Sequence, residues 1–385
     1  MSDNAIPFGK PMLDQSEIDA VVQVLSGTTL VHGPVTHDFE KAFAERIGCR
    51  HAIAVSSCTA GLHLSLFVKG IGPGDEVIVP AMTHTATAHA VEYCGAKPVF
   101  VDVSAETGNI DIAAMTSALG DKTAALMAVH YLGLPCDMSA IAAALKPTRA
   151  FLVEDCALSI DATFGGAKTG TFGLSGCFSF YPVKHMTTIE GGMVTTNDDD
   201  LAAMIAQRKA FGYDRMVGER KRPGIYDVVA LGYNYRMNEV EAAVGLTQLR
   251  KLDEFQAARA RNDAALRQEL AGIEEITIFP AHLGRARSSH YCLNAVLPKD
   301  GSIFRDTVMQ HLSRQGIGSS VHYPGPLPLM SYYRDRYGYR AGQFPVAEWL
   351  AEQTISLPVG PHLTEQDARR VGRAFKEAIH MASRE

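Results

Sequence analysis

Three short segments carry side chains of reactive type at places where a folded chain has uses for them. In Cys177-Phe-Ser-Phe-Tyr-Pro-Val-Lys-His185 a single lysine, Lys184, follows an aromatic strand and precedes the Gly191-Gly192 turn. Burial against an apolar wall disfavours the ammonium, so a lysine so placed becomes a better imine-forming nucleophile. In Phe151-Leu-Val-Glu-Asp155 two carboxylates end an apolar strand. An unpaired buried carboxylate is costly, so one of the two is expected to have a cationic partner. In Val55-Ser-Ser-Cys-Thr-Ala-Gly61 a strand runs into a helix through small polar residues. Free N–H groups and the positive end of the helix dipole would suit a phosphate there. Taken singly, each segment also has a plainer reading: a solvated lysine, a carboxylate capping the next helix, and a Ser/Thr N-cap.

Other chemistries lack their signatures. There is no P-loop, no G-x-G-x-x-G at a strand–helix turn and no G-x-S-x-G elbow. Of fourteen histidines, His84 and His89 lie five apart, as do His32 and His37. No H-E-x-x-H or Cys/His ligand spacing occurs, so no catalytic metal is expected. The order of phosphate cup, strand-end acid and post-strand lysine matches what pyridoxal phosphate needs. The cup holds the phosphate, the acid keeps the ring nitrogen protonated, and the lysine forms the imine.

These groups need a scaffold, and the hydrophobic periodicity supplies one. Strands are expected at 51–55, 76–79, 98–102, 124–129, 151–153, 177–180 and 193–196. Helices are expected at 15–25, 39–47, 59–68, 86–94, 112–119 and 139–145. Such alternation implies a mainly parallel sheet between helices. From Glu239 to Leu270 no Gly or Pro follows Gly245, which predicts one long helix joining two domains. Beyond it, strands at 276–279, 290–296 and 318–323 alternate with helices at 302–315 and 364–382, opened by Ser302 and Thr364 as N-caps. The fold class expected is α/β, with a large domain (1–250) and a smaller C-terminal α+β domain (251–385).

Composition narrows the partners. The 385 residues hold 36 Lys plus Arg against 42 Asp plus Glu, a net charge of −6. That balance argues against nucleic acid as a partner, and the basic run at 220–222 is too short to change it. No apolar run reaches the length of a membrane span, and the N-terminal residues lack the apolar core of a signal peptide. Seven scattered cysteines without a C-x-x-C pair read as buried thiols in a reducing cytoplasm.

The sequence resembles the DegT/StrS sugar aminotransferases, within the fold-type-I pyridoxal-phosphate enzymes, through nearly its whole length. The resemblance rests on Ser57-Cys-Thr-Ala-Gly-Leu-His63, Gly72-Pro-Gly-Asp-Glu-Val-Ile-Val-Pro80, Ala96-Lys-Pro-Val-Phe-Val-Asp102 and Val153-Glu-Asp155. It continues through the Lys184 segment, Glu190-Gly-Gly192, Gly232-Tyr-Asn-Tyr-Arg-Met237 and Val321-His-Tyr-Pro324. It implies Lys184 as the Schiff-base lysine and Asp155 as the partner of the pyridine nitrogen. Cys58, Thr59 and Ala60 would form the phosphate cup, with Ser179 adding a contact. His84 would stack on the ring, and Asn234 would reach the phosphate in the other subunit of a homodimer with shared active sites. His185, His322 and Tyr323 would face the substrate. The activity implied is transfer of an amino group from an amino acid, most often glutamate, to a nucleotide-linked keto-sugar. A sugar dehydratase or a non-catalytic binding protein on the same fold are the alternatives, and retention of Lys184 favours amino transfer. One departure stands out: the family often has Gln or His three residues after the aspartate, where this chain has Leu158, with Ser159 adjacent.

Overall fold

The structure, a computed structural model, describes residues 5–214, 222 and 224–382. Of the basic run at 220–222, only Arg222 falls within these bounds. The chain begins with two helices, α1 (Gln15–Leu25) and α2 (Pro34–Ile47), and then enters the sheet. β1 (His51–Val55), α3 (Cys58–Phe67), β2 (Glu76–Pro80), α4 (Thr85–Tyr93), β3 (Lys97–Val101), α5 (Ile112–Ala118), β4 (Thr123–Val129), α6 (Met138–Leu145) and β5 (Phe151–Asp155) alternate as the periodicity predicts. A short hairpin follows, β6 (Thr163–Phe164) and β7 (Ala167–Lys168), then β8 (Ser175–Ser179) and β9 (Gly192–Thr196).

Seven of these strands form one sheet in the order β1-β9-β8-β5-β4-β2-β3, and only β9 runs against the rest. Both faces are covered, so the strands read as continuous apolar runs. The period of two still sorts them. Val77, Val79, Ala125 and Met127 join the core containing α3 and α4, while Ile78, Leu126 and Ala128 join the core containing α5 and α6. A third cluster packs Phe39 and Phe43 of α2 against Phe178 and Phe180.

After α7 (Asp199–Arg208), α8 spans Glu239–Leu270 as expected, opened by a capping box of Asn238 with Glu241. Its Leu249, Leu252 and Phe255 lie in the α2 cluster, and its Leu266 and Leu270 lie in another. That second cluster is built on β10 (Thr277–Ile278), β13 (Leu293–Val296), β14 (Thr354–Leu357), α9 (Arg305–Arg314) and α12 (Glu365–Ala382). Between β10 and β13, β11 (His282–Leu283) and β12 (Ala286–Arg287) extend the β6–β7 hairpin into a four-stranded sheet. Helices α10 (Ser331–Tyr337) and α11 (Pro345–Gln353) return to the first core.

Three local expectations change. Residues 318–323 make one bridge, Ser320 to Ser356, and no strand. β13 begins only at Leu293, because His290 has φ +52 and interrupts extended pairing. Ser302 does not cap α9, whose N-cap is Phe304. Thr364 does cap α12, its Oγ1 accepting from Asp367 N–H at 3.1 Å.

Candidate active site

Parallel strands deliver their C-terminal ends to one edge of the sheet, where an α/β fold holds its ligands. β1, β2, β4, β5 and β8 end there, and antiparallel β9 begins there, with Gly192 opposite both Val55 and Ser179. A cavity of about 420 Å³ opens at this edge. Cys58, Thr59, His84, Asp155, Ser179, Lys184 and Tyr323 line it, with Ser57, Thr83, His130, Leu158, Tyr181 and Glu190. Residues up to 266 positions apart in sequence thus meet because the strand ends do.

The helix start is built for an anion. Ser57 is the N-cap of α3, and its side chain takes the N–H of Ala60 at 3.1 Å. The first-turn N–H groups of Cys58 and Thr59 have no acceptor within the helix. Beneath them Gly192 brings the β9 backbone so close that a Cβ would stand 2.5 Å from Cys58 N and from the Ser57 carbonyl carbon. Only glycine permits that approach.

Lys184 sits on a loop between β8 and β9 whose shape is set by its own bonds. Lys184 N–H donates to Tyr181 O at 2.9 Å, and Phe180 O accepts from Thr188 N–H and Thr187 Oγ1, both at 3.0 Å. From α8, the buried Arg259 donates to the Lys184 carbonyl at 3.3 Å. Lys184 Nζ lies 5.5 Å from the Tyr291 ring centroid and makes no ion pair among the described residues. Burial holds its pKa below the usual lysine range, against the opposing pull of Cys58 and Asp155.

The paired carboxylates part company, since neighbouring residues on a strand face opposite ways. Glu154 is fully buried. It accepts from the N–H groups of Gly170, Phe172 and Gly173 at 2.8–2.9 Å and meets His130 Nε2 at 3.0 Å. It is therefore the carboxylate with the cationic-type partner. His130 Nδ1 accepts from Cys136 N–H at 3.2 Å. The buried group of His130, Glu154 and Cys156 thus has its histidine and carboxylate already engaged by protein. Asp155 faces the cavity, with Oδ1 accepting from Ala157 N–H at 3.1 Å and Oδ2 from Thr87 Oγ1 at 2.8 Å.

His84 is the N-cap of α4, its Nδ1 accepting from Ala86 N–H at 3.2 Å. Its ring stands 6.0 Å from that of Tyr323. Desolvation, and then Lys184, hold its pKa below the usual histidine value. Leu158 lines the cavity; Ser159 is buried and does not. Four expected residues do not line the cavity: Ala60, whose N–H Ser57 takes, and three others. His185 is buried with Nε2 on Ser289 O at 3.0 Å, and His322 Nδ1 meets Ser356 Oγ at 2.9 Å. Asn234 is exposed in this single chain and pairs with Ala210. Thr83, Thr87 and His130 were not singled out in the sequence; His130 directly follows an expected strand, Thr83 lies between an expected strand and helix, and Thr87 is in the first turn of that helix.

The set fits pyridoxal phosphate: the positive end of a helix dipole, a buried carboxylate and a half-buried amine of depressed pKa converge on one cavity. Comparison with known proteins agrees. The profile of the DegT/DnrJ/EryC1/StrS aminotransferase family matches residues 11–376. The spore coat polysaccharide biosynthesis protein SpsC of Bacillus subtilis is 35% identical over 381 residues, 97% of each chain. The putative sugar aminotransferase Spr1654 from Streptococcus pneumoniae, in its PMP form, superposes with a TM-score of 0.92 at 27% identity over 98% of this chain and 100% of that one. Its PLP form gives 0.91 at 28% identity. DesI, solved in the presence of its TDP-sugar product, gives 0.89 at 29% identity over 100% of this chain and 95% of that one.

Proposed function

Because the chain belongs to the DegT/DnrJ/EryC1/StrS aminotransferase family, we propose that it moves an amino group from L-glutamate to the ketone of a nucleotide-linked deoxyhexose, for amino-sugar biosynthesis. Its cofactor is pyridoxal phosphate. The observation that carries the reading is the meeting of Lys184, Asp155 and the start of α3 in one cavity. The TDP-sugar product of DesI supports a nucleotide-linked substrate.

When bound, the cofactor supplies a carbonyl that receives the amino group and an electron-poor ring that takes up negative charge from the substrate carbon. The N–H groups of Cys58 and Thr59, with the Ser179 hydroxyl, hold its phosphate. Asp155 would pair with the ring nitrogen. Lys184 holds the cofactor at rest. Its Nζ, when free, would take a proton from the amino-bearing carbon of the donor as base and, as acid, would return it to the carbon that carried the aldehyde of the cofactor. A lowered lysine pKa favours the neutral amine that this first step requires. His84 and Tyr323 lie on the open side and would border the ring and the sugar. Asn234 would serve the cavity of a second subunit in a homodimer working in the cytoplasm. No helix among the described residues is long and apolar enough to cross a membrane.

The test is spectroscopic. Protein loaded with pyridoxal phosphate is mixed with L-glutamate, then with a nucleotide-linked keto-sugar. The visible band of the lysine-bound cofactor is expected to give way to the near-ultraviolet band of its amine form, and the sugar should restore it. A sugar that loses a hydroxyl without gaining nitrogen would replace this reading with the dehydratase one.

A further inference from the structure

We propose that Thr87, backed by Thr83, is a positioning residue that fixes the orientation of the Asp155 carboxylate; this rests on the role given to Asp155 above. Thr87 Oγ1 lies 2.8 Å from Asp155 Oδ2, and Thr83 Oγ1 lies 2.8 Å from Thr87 Oγ1. All three side chains are buried. A hydroxyl has one proton, and an ionised carboxylate can only accept. Thr87 therefore donates to Asp155, which obliges Thr83 to donate to Thr87. The relay runs in one direction, from the cavity wall at Thr83 to the acid.

Thr87 is in the first turn of α4, and the residue four back, Thr83, precedes the N-cap His84. Its hydroxyl meets the Thr83 side chain and turns its proton to Asp155 at the end of β5. Its target needs the bond, because Asp155 makes no ion pair among the described residues. A hydroxyl and an amide each donate to it. Each also pins one oxygen, Ala157 N–H on Oδ1 and Thr87 on Oδ2, so the carboxylate plane cannot rotate freely. Cys58 Sγ is a further, weaker donor to Oδ1 at 3.9 Å, so the second lone pair of Oδ2 is the one that remains for a donor in the cavity.

The experiment is a double-mutant cycle read in two ways, by steady-state kinetics and by the dissociation constant for pyridoxal phosphate. Thr87→Val keeps shape and removes the donor. It should lower kcat and weaken cofactor binding, each by about tenfold, with little change in KM for the sugar, as expected for loss of one hydrogen bond to a charged group. Thr87→Ser should restore both to within about threefold. In an Asp155→Asn background Thr87→Val should cost almost nothing further, because the two changes remove the same function. If Asp155→Asn is severe while Thr87→Val matches the parent, the relay is refuted and Asp155 keeps its role. If Asp155→Asn itself matches the parent, the assignment of Asp155 fails first. Should the valine variant not fold, Thr87→Cys and Thr87→Ser decide the matter: the weak thiol donor must fall well below serine, and equal values overturn the proposal.

Discussion

Lys184 shows how much one residue's surroundings decide. In water its amine would be protonated and inert; in the cavity burial lowers its pKa and leaves it without an ion-pair partner among the described residues. Lys184→Ala is expected to abolish amino transfer and the visible absorbance of bound cofactor, while far-ultraviolet circular dichroism and the urea midpoint stay near the parent values. Five residues on, the loop contains a residue out of place. Ile189 is β-branched, yet has φ +76, a region that costs non-glycine residues about 1–2 kcal/mol. Its N–H is held by Thr187 Oγ1 at 2.8 Å and its side chain is mostly in solvent, so little burial repays the strain. Ile189→Gly should therefore raise stability by about 0.5–1 kcal/mol after allowing for the extra freedom of glycine in the unfolded chain. An upward shift of the urea midpoint at constant slope is the check.

At the level of elements, the site is a contact between the start of α3 and the start of β9. Most of its support was legible from sequence: α1 and α8 run over the predicted bounds, and the seven strands of the main sheet match within about two residues. The contact itself was not, because periodicity says which face is buried and not which element lies against it. Gly192 is the hinge of that contact. Gly192→Ala would place a Cβ against backbone atoms of Ser57, Cys58 and Phe178, where no side chain can swing aside. It should cost about 1–3 kcal/mol and widen the phosphate cup. A fall in cofactor affinity larger than the fall in urea midpoint accounts for is the expected result. The segment 318–323 was expected to be a short strand. It pairs at Ser320 alone and then turns Tyr323 into the cavity, a diversion that only the position of the cavity explains.

Over the whole molecule, two properties follow from assembly and burial. Ile18, Val22 and Leu25 of α1, with Leu30, Val31, Val228, Val229 and Leu231, are exposed in the single chain. If each cavity draws Asn234 from the other subunit, mixing inactive Lys184→Ala and Asn234→Ala chains should regain activity at about a quarter of all sites. Gel filtration of an active monomer would remove the basis for that expectation. Burial also sets the response to acid. His63 has its pKa pushed down to about 4 from 6.5 by desolvation, and His322 likewise, with Lys184 and His84 adding to it. The unfolded chain takes up these protons near 6.5 and the folded chain only near 4. Their stabilising effect is thus complete above about pH 6.5 and is lost as the pH falls through that window, by up to about 1.4 kcal/mol per pH unit for each histidine. Urea midpoints between about pH 7 and 5 should fall accordingly, and His63→Phe should flatten the slope.

The sequence by itself determined the alternation of strands and helices, and with it the edge at which Ser57, Asp155 and Lys184 had to emerge. Hydrophobic period and turn residues are local properties, and a parallel sheet converts them into a shared end. It also determined which residue types were on offer there. What only the tertiary structure decided was partnership across the chain. Glu154 and Asp155 are neighbours with the same chemistry, yet one is enclosed by the N–H groups of Gly170, Phe172 and Gly173 while the other meets Thr87 and the cavity. His185 adjoins the reactive lysine in sequence and is turned into the core, whereas Tyr323 is remote and lines the site. Sequence separation carries no information about such pairs. They are fixed by the twist and order of the strands, by close approaches such as Gly192, and by the requirement that every buried polar group find a partner.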